Sequence, residues 1–298
     1  MKRILILGRR NAGEKNDARL LAEAIGRHAE VAAVHGAYFE DVVIETEKGS
    51  NQAFIHSGGI VENLGSYQVV ILINWSFHRL YTDLAHSLAL IASRSGVEVW
   101  NSELINARSA SKVSQMVRLS YEDVAIPRTY FSLTPSLLEG YSDTLGSPFI
   151  AKDPLASRGR SNHLCRDWKE LSQRLEPGVS YLLQEFIPND ASDLRMFVAR
   201  GEPVLGIVRR GSGETHLTNV SQGAAAELVD LKTLPESLIE ATKRIAAHFN
   251  RELCGIDFMK NTETGEYVFL EINTTPQIVN GVFVEEKASA LAQILTRK

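Results

Sequence analysis

Two carboxylates and an amide near the end of the chain have the residue types and the spacing of a metal site. Asp257 and Glu271 interrupt two otherwise apolar, strand-like segments, at positions where a core would hold carbon rather than charge. If this hairpin closes symmetrically about Thr264, Asp257 lies opposite Glu271, and Asn273 projects from the same face as Glu271. Like charges facing each other across a strand pair are destabilising, and a bound cation removes that repulsion.

Oxygen donors of this kind suit a hard cation. Three of them on one face favour Mg²⁺, above all when phosphates complete the coordination shell. The alternative is a solvated hairpin edge with incidental acids. The apolar neighbours argue against that alternative; they are Ile256, Phe258, Leu270 and Ile272.

The elements that position this hairpin follow from hydrophobic periodicity. In the first hundred residues, short apolar runs alternate with segments of helical spacing, which predicts a mostly parallel, doubly wound α/β sheet. Strands are predicted at residues 4–7, 31–34, 69–73 and 97–100, and helices at residues 18–25 and 84–91.

The remaining two thirds of the chain predict α+β structure. Strands are predicted at residues 128–131, 149–152, 181–187, 194–198, 204–208, 254–259 and 267–272, and helices at residues 111–121, 168–175 and 238–249. We expect three domains: an N-terminal Rossmann-like domain over residues 1–105, a central lid domain over residues 106–187 and a C-terminal domain over residues 188–298.

Composition narrows the class of protein. The formal net charge of −4 argues against a broad surface for nucleic acid or for an anionic membrane. Cys165 and Cys254 are the two cysteines, too few for a disulfide framework. The first apolar run is too short for a signal peptide, and no stretch has the apolar length of a membrane span. We therefore expect a cytoplasmic protein that binds neither nucleic acid nor a membrane.

The hairpin carries a recognisable motif. Residues 270–276, Leu-Glu-Ile-Asn-Thr-Thr-Pro, together with Gly-Ile-Asp-Phe at residues 255–258, resemble the metal-binding end of ATP-grasp enzymes, and the RimK-like carboxylate–amine ligases in particular. The resemblance extends from about Asn101 to Asn280 and is architectural before that. It implies a doubly wound N-terminal domain followed by two α+β domains that clasp ATP.

The resemblance also implies contacts to ATP. Lys112 and Lys152 match the family's two phosphate-binding lysines, and Gly159 lies in the loop expected to cover the phosphates. Glu185 and Phe186 match the hinge that recognises adenine and nearby groups.

Further positions match residues nearer the reacting atoms. Asp193 matches an aspartate that holds ribose hydroxyls, and Arg195 follows it in the same motif. Arg210 belongs to a paired arginine, Arg209-Arg210, and Asn219 follows it by nine residues, as the family's active-site asparagine does. The family's metal ligands are matched in type and order by Asp257, Glu271 and Asn273.

Several positions depart from the family pattern. Gly159 stands alone where several glycines are usual, which makes close backbone approach to phosphate less assured. Leu217 occupies a position where glutamate ligases usually carry arginine, and Gln222 and Gln277 also differ from the pattern. These differences leave the expected ATP-binding residues in place, but the resemblance does not imply that glutamate is the substrate.

The implied reaction joins a carboxylate to an amine. ATP first converts the carboxylate to an acyl phosphate, the amine then attacks it, and ADP and phosphate are released. Positive charge for the transferred phosphoryl group would come from Lys112, Lys152, Arg195 and Arg210. One or two Mg²⁺ ions are implied, with Mn²⁺ as a substitute. The substrates are a small molecule or peptide with a carboxylate and an amine co-substrate.

Two alternatives and two structural questions stay open. An ATP-grasp phosphotransferase would phosphorylate its substrate without forming an amide, and a non-catalytic ATP-binding regulatory protein would not turn over. The oligomeric state is open, a homo-oligomer included. In the lid domain, we expect the loop Asp153–His163 to become ordered when ATP gives its arginines and backbone amides a counter-charge.

Overall fold

A computed structural model describes residues 2–10, 17–28, 32–48, 50–75, 79–106, 111–154, 162–176, 178–211, 225–274, 276–278 and 281–296. The strands are β1 (Lys2–Gly8), β2 (Ala32–Tyr38), β3 (Val42–Glu47), β4 (Ser50–Ser57), β5 (Ile60–Asn63), β6 (Val69–Leu72), β7 (Glu98–Trp100), β8 (Thr129–Ser132), β9 (Phe149–Lys152), β10 (Asn162–Cys165), β11 (Tyr181–Glu185), β12 (Ser192–Ala199), β13 (Glu202–Arg210), β14 (Ala225–Val229), β15 (Leu253–Lys260) and β16 (Tyr267–Asn273). The helices are α1 (Ala18–Gly26), α2 (Arg79–Arg94), α3 (Lys112–Leu119), α4 (Glu139–Ser142), α5 (Trp168–Ser172), α6 (Glu236–Phe249) and α7 (Val284–Thr296).

The first sheet is parallel, with the strand order β2-β1-β6-β7. Alternate residues of β1 face two different cores, as strand geometry requires. Leu5 and Leu7 pack with α2, whereas Ile4 and Ile6 pack with α1 and α7. Helices therefore cover both faces of this sheet, and the predicted doubly wound arrangement is confirmed.

Helix α1 approaches strand β2 closely at Gly36. A methyl group at Gly36 would lie 2.5 Å from the carbonyl oxygen of Ala18 and from the Cα atom of Arg19. Backbone atoms cannot yield at that distance, so glycine is required for this packing. Asp17 begins α1 by accepting hydrogen bonds from the backbone N–H groups of Arg19 and Leu20.

A second sheet, antiparallel β3-β4-β5, was not predicted. Ala53 and Ile55 of β4 are fully buried and join the core between the first sheet and α2. Most other residues of these strands are polar or exposed, which explains why their apolar periodicity is weak in the sequence.

The third sheet has the antiparallel order β10-β9-β11-β8. Its core is built on Phe149, Ala151, Tyr181 and Leu183. Strand β9 coincides with the strand predicted at residues 149–152, and Lys152 is its last residue.

The fourth sheet is antiparallel, in the order β14-β13-β12-β15-β16, and α6 covers one of its faces. Helix α7 lies further along the chain but packs with α1 near the first sheet, in a core that also includes Phe197 and Leu253 of the fourth sheet. The domain boundaries near residues 105 and 187 stay predictions.

None of the described helices combines the length and apolar character that crossing a membrane requires. Cys165 and Cys254 are both buried free thiols.

Candidate active site

The fourth sheet divides its residues between an apolar face and a charged face. Leu194, Met196, Ile256 and Phe258 pack toward α6. Because side chains alternate along a strand, their sequence neighbours lie on the opposite face. The charged and polar residues of that face are Asp193, Arg195, Arg209, Asp257, Glu271 and Asn273.

A β-bulge places the two predicted metal-binding carboxylates opposite each other. Phe258 pairs with Phe269, but Asp257 pairs with Glu271, so Leu270 is an extra residue in β16. The predicted pairing of Asp257 with Glu271 is therefore confirmed, although the hairpin does not close symmetrically. Without the bulge, Asp257 would face Leu270, and Glu271 would point into the apolar core beside α6.

Two arginines surround the buried carboxylate of Asp257. Arg195 donates from Nε to Oδ1 and from Nη2 to Oδ2, both at 2.7 Å. Arg209 Nη2 lies 3.2 Å from Oδ2. Burial alone would raise the pKa of Asp257, but the charges of Arg195 and Arg209 and their hydrogen bonds lower it to about 2. Asp257 is therefore ionised at neutral pH.

Asp193 holds Arg209 in the same network. Arg209 Nε and Nη2 donate to the two oxygens of Asp193 at 2.6 and 2.7 Å, and both side chains are buried. Burial would lower the pKa of Arg209, but Asp257 and Asp193 raise it above its usual value. The carboxylate of Asp193 thus orients a guanidinium, and its contact with ribose stays a prediction.

Arg210, which was predicted to be catalytic together with Arg195 and Asn219, lies on the other side of β13. Its Nη1 is 3.6 Å from Asp190 Oδ2, and both side chains are more than half exposed. The structure brings Arg209 rather than Arg210 to Asp257, and sequence reasoning did not select Arg209. A catalytic role for Arg210 stays a prediction, and Asn219 and Gly159 lie outside the described residues.

Asn273 connects the two carboxylates. Its Nδ2 donates to Glu271 Oε1 at 3.1 Å and lies 3.4 Å from Asp257 Oδ2. A partly positive N–H group therefore occupies the space where a cation would reach both carboxylates, and turning the amide would present its oxygen to the same point. The oxygen donors fit Mg²⁺. Among the described residues, no group of three or more His, Cys, Asp or Glu side chains forms a metal site by itself.

Of the two predicted phosphate lysines, Lys152 lies close both to Glu271 and to the other, Lys112. Burial, together with the charge of Lys112, outweighs the opposing effect of Glu271 and lowers the pKa of Lys152 to about 8. Lys112 is the first residue of α3, which Ser111 caps by accepting from the backbone N–H of Ser114 at 3.3 Å. The structure thus brings together groups from α3, β9 and β16.

The predicted hinge residues lie between the third and fourth sheets. Glu185 ends β11, and its Oε1 accepts from the backbone N–H of Arg128 at 2.9 Å. The backbone N–H of Glu185 donates to the carbonyl of Arg128 at 3.1 Å. Phe186 follows and is half-buried. These contacts fix the end of β11, and adenine recognition there stays a prediction.

A pocket beside the arginines contains a lysine that sequence reasoning did not select. The pocket is lined by Arg195, Phe197, Ile207, Arg209, Pro276, Gln277, Val282 and Lys287. Lys287 is buried, and its Nζ donates to the carbonyl of Gln277. Burial, together with the charge of Arg195, outweighs the opposing effect of Glu286 and lowers the pKa of Lys287 to about 8. Its place near the end of the chain, on an unpredicted helix, offered no motif that could have identified it.

Comparison with known proteins identifies the family. Residues 86–295 match the RimK-like ATP-grasp domain. The probable alpha-L-glutamate ligase of Psychromonas ingrahamii is 27% identical over 183 residues, which are 59% of each chain. The alpha-aminoadipate–LysW ligase LysX of Saccharolobus solfataricus is 27% identical over 215 residues, 68% of this chain and 76% of that one. This chain thus spans about three fifths of the first relative.

Solved structures agree in fold. One of them is a RiPP-associated ATP-grasp ligase of Chryseobacterium gregarium in complex with ADP and with a leader and core peptide. Its TM-score is 0.74 at 14% sequence identity, and the match covers 99% of this chain and 96% of that one. A RimK domain ATP-grasp protein of Sphaerobacter thermophilus has a TM-score of 0.60 at 16% identity, covering 98% of both chains.

The fold is that of an ATP-grasp protein. The chain belongs to the RimK-like ATP-grasp family, which confirms the resemblance found in the sequence. Its curated relatives are named as ligases, in agreement with the predicted enzyme class.

Proposed function

We propose that this chain is an ATP-dependent carboxylate–amine ligase that forms an amide or peptide bond through an acyl phosphate and releases ADP and phosphate. The observation that carries the proposal is the convergence of three charged side chains from separate elements: Lys112 and Glu271 both lie close enough to Lys152 to shift its pKa. Glu271 also lies opposite Asp257, in a network with Arg195. Phosphate-binding lysines and metal-binding oxygens therefore share one site.

The chain's own charges match phosphoryl transfer. The transferred group spreads negative charge over its oxygens, so catalysis depends mainly on positioning and on positive charge. Lys112 and Lys152 would bind ATP phosphates, and Arg195 would stabilise the acyl phosphate while Asp257 holds its guanidinium in place. Mg²⁺, or Mn²⁺ in its place, would be held by Glu271, Asn273 and Asp257 and would neutralise phosphate charge when bound.

The remaining predicted roles belong to the same proposal. Glu185 and Phe186 would contact adenine, and Asp193 would lie on the ribose side. Gly159 would contact the phosphates. Arg210 and Asn219 would contact the reacting groups. The substrates would be a small molecule or a peptide with a free carboxylate, and an amine. Peptides belong in the screen because a solved relative of the same fold is bound to a leader and core peptide.

The test is a substrate screen with product analysis. The protein is incubated with ATP, Mg²⁺ and pools of amino acids and peptides, ADP release is recorded, and products are searched by mass spectrometry for condensation. We expect amide product to form in step with ADP and phosphate. The variant Glu271→Gln serves as the matched control for contaminating ATPases.

Other products would overturn the proposal in distinguishable ways. A phosphorylated product without an amide would indicate a phosphotransferase. AMP and pyrophosphate would indicate adenylation. Nucleotide binding without turnover across the whole screen would favour a regulatory ATP-binding protein.

A further inference from the structure

Strand β16 carries two of the proposed metal ligands and lies at the edge of its sheet. Ile272 separates Glu271 from Asn273, and its side chain is buried in the core beside α6. Because β15 lies on one side of β16 and no strand of the described residues lies on the other, the outer backbone groups of β16 have no strand partner in the part of the chain that the structure describes. A buried backbone N–H or C=O without a partner is costly, so these groups require another one.

The side chain of Gln115 takes the place of that missing strand. Its Oε1 accepts from the backbone N–H of Ile272 at 3.0 Å, and its Nε2 donates to the carbonyl of Ile272 at 3.3 Å. Gln115 is only 5% exposed. A carboxamide has both a donor and an acceptor, as a peptide group does, so it can satisfy both backbone groups of one residue. We call this pair of hydrogen bonds the Gln115 bridge.

A second side chain holds the same carbonyl. Arg251 Nη1 donates to the carbonyl of Ile272 at 3.0 Å, and its Nε donates to Glu103 Oε1 at 2.7 Å. The carbonyl between Glu271 and Asn273 thus accepts two hydrogen bonds. The bond to the N–H of Ile272 thus fixes the peptide unit that joins it to Glu271, and the two bonds to its carbonyl fix the peptide unit that joins it to Asn273.

The Gln115 bridge also connects two parts of the proposed site. Gln115 follows Lys112 by one helical turn on α3, so both side chains lie on neighbouring parts of one helix face. Lys112 and Glu271 both act on the charge of Lys152. A rigid contact between α3 and β16 therefore sets the distance between a phosphate lysine and the metal ligands.

We propose that Gln115 is a positioning residue that holds Glu271 and Asn273 in the geometry a divalent cation needs and aligns them with Lys112. This inference rests on the proposed nucleotide and metal site. Side chains that orient metal ligands affect metal affinity by roughly 10- to 100-fold without touching the metal. The Gln115 bridge acts through the backbone of the strand that carries the ligands.

The test compares nucleotide binding with and without metal in the full chain. Gln115→Met keeps the size of the side chain but removes both hydrogen bonds. ADP affinity is measured by calorimetry with Mg²⁺ and with EDTA, and Mn²⁺ affinity in the presence of ADP by electron paramagnetic resonance. In Gln115→Met, we expect the Mn²⁺ affinity, and the gain in ADP affinity that Mg²⁺ provides, to fall roughly tenfold. The ADP affinity without metal should stay within about twofold of the wild type. That change is well under the 1.4 kcal/mol that corresponds to a tenfold change.

Thr242→Val is the matched control for a general loss of buried hydrogen bonding. Thr242 is buried in α6, and its Oγ1 donates to the carbonyl of Leu238 at 2.8 Å. This variant should lower thermal stability without changing metal affinity. An equal loss of metal affinity in Thr242→Val would show that the effect of Gln115→Met is only structural and would overturn the proposal.

A second variant, Gln115→Asn, keeps the test possible if Gln115→Met does not fold. Gln115→Asn keeps the polar group but withdraws it by about 1.5 Å, one carbon–carbon bond, and should lower Mn²⁺ affinity like Gln115→Met. Wild-type metal affinity in a folded Gln115 variant would overturn the positioning role and leave the proposed function intact. Equal ADP affinity with Mg²⁺ and with EDTA in the wild type would overturn the proposed function, and this inference with it.

Discussion

Asp257 and Glu271 face each other across the last hairpin, yet only Asp257 is held by two arginines. Arg195 contacts both of its oxygens at 2.7 Å and Arg209 one of them at 3.2 Å. Glu271 instead accepts from Asn273 and lies near Lys152. Both carboxylates are proposed metal ligands, but Asp257 has a second role in stabilising the arginine network, which Glu271 does not share.

The first prediction separates these roles. Glu271→Gln should reduce ADP release to background. It should change the free energy of unfolding by less than about 1 kcal/mol, because substitutions at partly exposed positions away from a core normally have small effects. Asp257→Asn should lower the free energy of unfolding by about 3–5 kcal/mol, because two buried arginines lose their charged partner. Urea unfolding and ADP release measure both effects. Normal turnover in Glu271→Gln would contradict the proposed metal site.

A second prediction uses the adjacent arginines as a matched pair. Arg209→Lys should lower stability by about 2–4 kcal/mol, because one ammonium group cannot reproduce the forked contacts to Asp193 and Asp257. Arg210→Lys should change stability by less than about 1 kcal/mol, since its ion pair with Asp190 is exposed. ADP release by the two variants then shows which of these adjacent arginines is needed for activity. Loss of activity in Arg210→Lys at unchanged stability would support the role implied by the family resemblance.

The third prediction concerns Lys287 and pH. Its pKa is about 8 in the folded chain, against the ordinary 10.5, so the unfolded chain binds more protons between these values. Stability should therefore rise as the pH increases from about 8 to about 10, by about 2 kcal/mol for this group.

The variant Lys287→Met tests this origin. It should show a smaller rise in the free energy of unfolding over the same pH range, measured by urea titration. Part of the rise should persist because the pKa of Lys152 is lowered as well. A pH dependence identical to that of the wild type would refute the role of Lys287.

A fourth prediction concerns the space beneath Arg195. A methyl group at Gly255 would lie 3.3 Å from Pro276 Cβ and 3.4 Å from Arg195 Cδ, which forces small shifts in both. Gly255→Ala should lower ADP release several-fold, because Arg195 is displaced from Asp257. Gly206→Ala is the matched control, since its nearest new contact is an ordinary 3.5 Å. Equal activity in the two variants would exclude a positional effect on Arg195.

Much of the architecture could be read from hydrophobic patterns. The strand at residues 149–152 was predicted with its bounds, and the helix predicted at residues 238–249 corresponds to α6 (Glu236–Phe249). These segments have strong periodicity because one face is buried. Strands β3 to β5 were missed because their buried positions are few and lie among polar residues.

The sequence by itself was sufficient to propose which residues bind phosphate and metal. Carboxylates within apolar strands are unusual enough to be recognised from residue type and spacing, whereas the two lysines were selected through the family resemblance. Their order along the chain was sufficient to indicate the family. Gln115 and Lys287 carried no such signal, because their importance depends on partners distant in the sequence.

The tertiary structure decided which charges share a face, through one extra residue in each of two hairpins. In the first hairpin, Val198 pairs with Pro203 but Phe197 pairs with Leu205, so Val204 is an extra residue in β13. This extra residue places Arg209 on the face of the sheet that carries Asp193 and Asp257. Without Val204 as an extra residue, Arg210 would lie on that face instead. The extra Leu270 turns Glu271 out of the core in the same way. Because side chains alternate with a period of two, a shift of one residue exchanges the two faces. Where that shift occurs depends on packing against α6 and α7, which local sequence does not contain.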